Sequence, residues 1–233
     1  MKVAVMQPYI FPYLGYFQLV NAVDIFVFGD DVNYIKGGWI SRNKILLNNE
    51  AYLLSFPCKK RSQNKLIKDV KIDMRSKYYD NILLTLKHAY TKAPHFIEIF
   101  PILETIFKAD FDNISDLASH SVITISDYLE INTKFLYTSI DFGNTKGQEK
   151  SERLITINKE LGGTNYINPI GGKQLYSKDY FARNGLLLNF LETEIAPYAQ
   201  FENEFIPGLS IIDVLMFNSL EDVKKMLNSY KLK

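Results

Sequence analysis

Scarcity sets the first limits on this chain. Its 233 residues include one cysteine, Cys58, which excludes an internal disulfide framework and fits a reducing compartment, with a buried, inert thiol as the expectation. Three scattered histidines do not suggest Ser-His-Asp or Cys-His chemistry, and their spacing is not that of metal ligands, so no metal centre is expected. No Gly-x-Ser-x-Gly elbow, Walker loop, Gly-x-Gly-x-x-Gly fingerprint or His/Cys cluster occurs. The 27 basic and 26 acidic residues nearly cancel, which argues against a general polyanion binder and a nucleic-acid duplex as partner but leaves room for a local basic patch. No apolar run approaches the roughly 18 residues of a membrane span. The N-terminus lacks the zones of a signal peptide, so a soluble, cytoplasmic protein without a membrane partner is expected. Repeats, low-complexity tracts and separating linkers are also lacking, and a single α/β domain over 1–233 is the expectation.

Aromatic residues are abundant, with 15 tyrosines and 16 phenylalanines beside the single tryptophan, Trp39. Some must build a core, but tyrosine also suits stacking on a base or sugar. The most informative stretch is 2–43. An apolar strand-length run at 3–6 breaks at Gln7-Pro8 into an aromatic, proline-punctuated loop; a helical pattern follows from Tyr13, and 24–28 is again apolar and branched. This strand, loop, helix, strand unit predicts a Rossmann-like parallel sheet whose carboxyl edge collects residues 7–15 and 30–43.

Beyond it, runs at 44–47 and 51–56 joined at Asn48-Asn49-Glu50 predict a β-hairpin. The cationic run 59–65 reads as a solvated loop in preference to a phosphate-gripping one, and 70–72 as a short strand. A helical insert is expected at about 76–130. Ser76 caps its first helix, Pro94 begins the second, and Asn113 or Ser115 caps the third. A second α/β stretch follows, with strands at 133–140, 165–168 and 186–191, helices at 151–161 and 176–182, and a mobile lid at 141–150. Ser210 caps a helix at 211–217, and a last helix starts at Glu221. The fold class is thus α/β: a Rossmann-like parallel sheet flanked by helices, with a β-hairpin and a helical insert.

Specific polar groups are densest in the 30s and 40s: Asp31, Tyr34, Lys36, Trp39, Arg42 and Asn43. Arginine and lysine grip phosphate or carboxylate, and tryptophan stacks on a ring. The bland alternative pairs Arg42 with Asp31 and uses Trp39 as a cover on the core. Asp30 and Asp31 read equally as holders of a magnesium ion with a substrate phosphate and as turn formers that cap backbone N–H groups. Gln7 ends the first strand with its amide toward the crevice. Ile170-Gly171-Gly172-Lys173 follows a strand and reads either as a phosphate wrap or as a turn.

The series Gln7-Pro8-Tyr9-x-Phe11-Pro12-Tyr13-x-Gly15-Tyr16-Phe17, then Asp24, Asp31, Tyr34, Trp39 and Arg42-Asn43, resembles the opening signature of the WbqC-like family; 153–166 and 200–213 resemble its later blocks. The resemblance covers nearly the whole chain. It implies bacterial surface-polysaccharide (O-antigen, lipopolysaccharide) biosynthesis and sugars or nucleotide-linked sugars as ligands. In layout, the opening unit is also similar to the nucleotidylyl transferase superfamily, including pantothenate synthetase, where a His-x-Gly-His signature opens the helix and holds the triphosphate of ATP. Tyr13-Leu14-Gly15-Tyr16 stands in that place: the glycine remains, and both histidines are tyrosines, which bring no positive charge to a developing pyrophosphate.

Together these resemblances imply a transferase that attaches an acyl or aminoacyl group, for example glycyl, to the nitrogen of a nucleotide-linked amino sugar, through an adenylate made from ATP with Mg2+. Lys36, Arg42 and Lys173 would meet phosphate charge. Gln7, Tyr9, Tyr13, Gly15, Tyr16 and Asn43 would position the donor or nucleotide, Tyr34 and Trp39 would face sugar or base, and Asp31 or His88 would accept the amine proton. Two alternatives stand beside it: a non-catalytic nucleotide-sugar or glycan binding protein, and a sugar-phosphate nucleotidylyl transferase. The oligomeric state is left open, a homo-oligomer included.

Overall fold

A computed structural model of the chain describes residues 1–201 and 204–233. Strands β1 (Lys2–Met6) and β2 (Ile25–Phe28) flank helix α1 (Leu14–Asn21) in sequence and pair in parallel, Val3 opposite Ile25 through Met6 opposite Phe28. All four β2 side chains are buried, as expected of a parallel strand covered on both faces. The remaining strands of the sheet are β5 (Lys134–Tyr137), β6 (Asn165–Pro169), β7 (Leu187–Thr193) and β8 (Tyr230–Leu232), in the order β5-β2-β1-β6-β7-β8. The first five are parallel and β8 is antiparallel to β7. From β1 the chain adds β2 and β5 on one side and then β6 and β7 on the other, so strand order reverses between β1 and β6, the switch point at which doubly wound sheets open a crevice beyond their carboxyl ends.

Period-two alternation divides the core. Ala4, Phe26 and Phe28 join the large cluster beneath α1, while Val3, Ile25 and Val27 pack with Phe142 and Ile157 on the other face. Helices α6 (Lys150–Glu160) and α7 (Lys178–Arg183) contribute Leu154, Ile155 and Phe181 to that second side. The large cluster continues into α2 (Lys77–Tyr90), α3 (Phe96–Lys108) and α4 (Ile114–Tyr128), and into α8 (Ile211–Phe217) and α9 (Leu220–Leu227). Ser76 caps α2 and Asn113 caps α4 by accepting from Tyr79 and Asp116 N–H at 3.3 and 3.0 Å. Ser210 caps α8, accepting from Ile212 N–H at 3.2 Å.

The hairpin β3 (Arg42–Leu47) and β4 (Glu50–Ser55) forms a separate antiparallel pair. Its turn places Asn48 and Asn49 at φ of 50° and 67°, which asparagine tolerates and a primed two-residue turn requires. An isolated hairpin is marginal in water, and this one is held from outside: Leu46 N–H donates to Tyr90 Oη at 3.0 Å and Ser210 N–H to Lys44 carbonyl at 2.8 Å.

Four expectations need correction. Residues 70–72 form no strand; Lys71 and Ile72 make single bridges to Asn113 and Cys58. Strand β5 stops at Tyr137 because the Asp30 carboxylate takes the Ser139 N–H and both the Thr138 and Ser139 hydroxyls, turning the chain into the short helix α5 (Thr138–Asp141). The segment 141–150 is tied down by buried Phe142 and Thr145, which leaves 146–149 as the exposed tip in place of a free lid. Helix α3 starts at Phe96, with His95 at its N-cap, two residues beyond Pro94. Strand β8 was missed; it is short and largely exposed, and it pairs with the end of β7 while Tyr230 packs against the core. Among the described residues no helix is long and apolar enough to cross a membrane.

Candidate functional site

The loop after β1, at the carboxyl edge, has a constrained backbone. Phe11 has φ of 41°, a left-handed conformation uncommon for a bulky residue, and it is buried. Four groups from distant segments hold the loop. Asn43 Nδ2 donates to the carbonyls of Ile10 and Phe11 at 3.1 and 2.6 Å, and Ser210 Oγ donates to the Phe11 carbonyl at 2.7 Å. Phe11 N–H donates to Ser121 Oγ at 3.2 Å, and Ile211 N–H to the Pro12 carbonyl at 2.8 Å. Asn43 is thus a backbone clamp. Strain of this kind, about 1–3 kcal/mol, persists only where surrounding structure enforces it.

That clamping brings three segments to one cavity lined by Tyr9, Pro12, Tyr13, Trp39, Asn43 and Gly208, with a volume of ≈ 70 Å³. Trp39 and Tyr13 stay 41% and 36% exposed, so both rings offer surface to a ligand. The Arg42 guanidinium lies 5.8 Å from the Trp39 ring centroid, and its Nε donates to the Gly38 carbonyl at 3.1 Å. Burial pushes the Tyr9 and Tyr13 phenols above their ordinary range, leaving neutral hydroxyls.

Gly15 and Tyr16 have different work. A Cβ at Gly15 would lie 2.3 Å from Thr193 Oγ1 and 2.4 Å from the Tyr13 ring, so the space this glycine opens is already filled by the chain itself. Tyr16 is buried, and its hydroxyl donates to the Gln7 carbonyl at 2.9 Å. With no cation there, these residues do not fit the triphosphate cradle that the nucleotidylyl transferase layout implies.

Beside β2, Asp31 is buried and pairs with Arg153. Arg153 Nη2 donates to Asp31 Oδ2 at 2.7 Å, Thr138 Oγ1 donates to Asp31 Oδ1 at 2.6 Å, and Arg153 Nε donates to Thr145 Oγ1 at 3.0 Å. Burial works to raise the Asp31 pKa, but the bonds from Arg153 and Thr138 outweigh it and hold the carboxyl below its usual range. The expected partner, Arg42, is occupied at Trp39. Of the two readings of Asp30-Asp31, capping describes Asp30, whose oxygens are taken by Thr138 and Ser139. Among the described residues no group of three or more His, Cys, Asp or Glu is arranged to hold a metal ion.

A further buried carboxylate escaped sequence reasoning. Asp213, fully buried at the start of α8, accepts from Tyr90 Oη at 2.9 Å, Tyr198 Oη at 2.7 Å and Gln200 Nε2 at 2.6 Å. Burial raises its pKa despite the three donors. Gln200 also brackets Ile206, accepting its N–H at 2.7 Å and donating to its carbonyl at 3.2 Å, so the network shapes the approach to Gly208. Its only sequence signal was the resemblance of 200–213 to a family block.

The other predicted residues are dispersed. Tyr34 is buried, its hydroxyl 2.5 Å from Ser41 Oγ. Lys36 is exposed three residues from Trp39. Lys173 is exposed after β6, and a Cβ at Gly172 beside it would fall 1.8 Å from Asn168 Nδ2. His88 is exposed on α2. Burial pushes the Cys58 thiol up to about 11, an unreactive state at neutral pH.

Fold and site together define a doubly wound α/β protein with an aromatic, arginine-bordered cavity at the carboxyl edge of its sheet. The chain belongs to the WbqC-like protein family, whose model matches residues 7–225. It is similar to the uncharacterized protein Rv1507c of Mycobacterium tuberculosis (strain ATCC 25618 / H37Rv), at 28% identity over 220 residues covering 93% of each chain. No solved structure matches.

Proposed function

We propose that the protein is a cytoplasmic transferase of surface-polysaccharide biosynthesis that acylates or aminoacylates the nitrogen of a nucleotide-linked amino sugar. The observation that carries this reading is the convergence of Tyr9 to Tyr13, Trp39 to Asn43 and Gly208 on one aromatic cavity. Trp39 stacks on the apolar face of the sugar, Tyr9 and Tyr13 exchange hydrogen bonds with its hydroxyls, and Arg42 supplies positive charge beside the ring. The sugar nitrogen attacks the acyl carbonyl, the C–N bond forms as the bond to the leaving group breaks, and the departing group takes up the amine proton. Because the residues around Gly15 do not form a triphosphate cradle, the acyl group arrives already activated. Orientation and charge stabilisation are what such a step asks of the protein.

The test is turnover across a panel of nucleotide-linked amino sugars with thioester and aminoacyl donors, read by mass spectrometry. A mass gain on the sugar nitrogen is expected, with kcat/KM reduced about tenfold in Trp39→Ala, the equivalent of about 1.4 kcal/mol of ring stacking. Absence of product across the panel would sink the transferase reading. Thermal stabilisation by sugar nucleotides without product would instead support a binding protein. The engagement of Asp30, Asp31 and Asp213 by neighbouring groups favours that second reading, since no cavity residue is an evident base.

A further inference from the structure

A second, larger concavity lies along the strip that carries Trp39. It measures ≈ 390 Å³ and is lined by Asn33, Tyr34, Ile35, Lys36, Gln63 and Asn64. Its two walls are fixed to each other: Tyr34 N–H donates to the Lys65 carbonyl at 2.8 Å, and Asn33 bridges Leu66. Apart from Tyr34, whose hydroxyl is engaged with Ser41, the polar lining is unused. The side chains of Asn33, Lys36, Gln63 and Asn64 make no hydrogen bond or ion pair among the described residues, and neither do the neighbouring Lys60, Arg61 and Lys65 side chains. In the same run Lys59 is neutralised by Asp73 at 3.1 Å.

Charge is concentrated here although the whole chain is nearly neutral. Residues 59–77 contain eight of the 27 basic residues and two of the 26 acidic ones. Unused amides and cations around an open groove suit a ligand that offers many oxygen acceptors and negative charge. Arg42 continues the charge toward the aromatic cavity, with its Nη2 3.4 Å from where a Gly37 Cβ would stand and its guanidinium over Trp39. Gly37, at φ of +81°, gives the strip its turn between the two concavities. Lys36 and Trp39 are three residues apart, so their Cα atoms lie within about 11 Å.

We infer that the groove between 33–36 and 63–64, with the cations at 60, 61 and 65 beside it along the chain, is a diphosphate subsite, which receives the phosphates of a nucleotide-linked ligand whose sugar occupies the Trp39 cavity. This assigns the cationic run 59–65 to phosphate binding and shifts that role away from Lys173, which lies after β6. The inference deepens the proposed function and rests on it for the identity of the sugar, but not for the anion.

The test is calorimetric titration of the intact protein with inorganic pyrophosphate, uridine diphosphate and uridine diphosphate N-acetylglucosamine at low and high salt. Expected for the wild type is binding of all three that weakens with salt. The triple variant Lys36→Gln, Arg61→Gln, Lys65→Gln, altered only at surface side chains, should bind pyrophosphate and uridine diphosphate at least tenfold more weakly. Trp39→Ala should weaken the sugar nucleotide alone. The subsite is overturned if the wild type binds none of the three anions, if the triple variant binds pyrophosphate as the wild type does, or if a single-stranded RNA displaces pyrophosphate at lower concentration than uridine diphosphate does. Anion binding through the groove with no gain from the sugar and no acyl transfer would leave the subsite standing while removing the transferase reading.

Discussion

Replacing Tyr90 by phenylalanine removes one oxygen from the centre of the Asp213 network and tests whether that network holds the fold. The ring keeps its packing, including the edge contact with Phe217 at 6.1 Å, so no cavity opens. Two bonds are lost: Leu46 N–H loses its acceptor and Asp213 Oδ1 its donor. An orphaned buried N–H costs about 1–3 kcal/mol, and a lost bond to a charged group about 1.5–3 kcal/mol. A deficit of about 3 kcal/mol follows at neutral pH, or about 6–12 °C in Tm for a chain of this length. The deficit should also depend on pH. Burial already holds the folded Asp213 pKa above its unfolded value, so the stability of its protonated form is complete below the unfolded pKa and is lost as pH rises through the folded one. Removing a donor raises the folded pKa further, so the deficit should be smaller at pH 4.5 than at pH 7.5. Scanning calorimetry of Tyr90→Phe beside Tyr78→Phe, an exposed control expected to be neutral, measures both effects. A Tm within about 2 °C of wild type at pH 7.5 would refute the reasoning, as would a deficit equal at the two pH values.

Arg153→Met leaves the buried Asp31 carboxylate without its cation, at a cost of about 3 kcal/mol at pH 7. In the wild type the depressed Asp31 pKa gives stability that is present above the unfolded value and lost as pH falls through the folded one; without Arg153 that acid dependence flattens, so urea unfolding should show a smaller cost at pH 4, and an equal cost at both pH values contradicts it. Gly15→Ala gains about 1 kcal/mol in helix propensity but forces Thr193 and the Tyr13 ring aside, for a net loss of about 1 kcal/mol and weaker ligand binding. A more stable variant with unchanged titration would oppose that account.

The doubly wound sheet was legible because buried parallel strands announce themselves as short apolar runs, and β1, β2, β6 and β7 fall within a residue or two of their expected places. The caps Ser76, Asn113 and Ser210 were legible for the same local reason: each side chain serves an N–H within three residues. What failed was non-local. Strand β5 ends where Asp30, more than 100 residues earlier, takes hold of Thr138 and Ser139, and β8 exists because β7 offers it an edge. At the candidate site, Trp39 and the Gln7-Pro8 break pointed to a loop that the fold sets beside an aromatic cavity, whereas Asn43 and Tyr16, read as ligand contacts, have Nδ2 and Oη donating to backbone carbonyls. Arg153 and Asp213 stood out in the sequence only as ends of the segments 153–166 and 200–213; the fold alone puts them against their partners.

Those partners bear on mechanism. Each of the three buried carboxylates among the described residues is an anchor: Asp30 holds the end of β5, Asp31 ties β2 to α6, and Asp213 ties α2 to the segment before α8. A carboxylate that releases its donors to take a proton would release a loop with it. The cavity is left with phenols held neutral by burial and an arginine that stays charged, groups that orient and polarise but do not abstract protons at neutral pH. Under the transferase reading the sugar amine therefore reaches the acyl carbonyl already neutral, and the protein's contribution is the placement of ring, phosphates and carbonyl relative to one another. That demand explains an otherwise costly feature, the left-handed Phe11 clamped by Asn43, Ser121 and Ser210: a site that works by position must fix the loop that bears its rings.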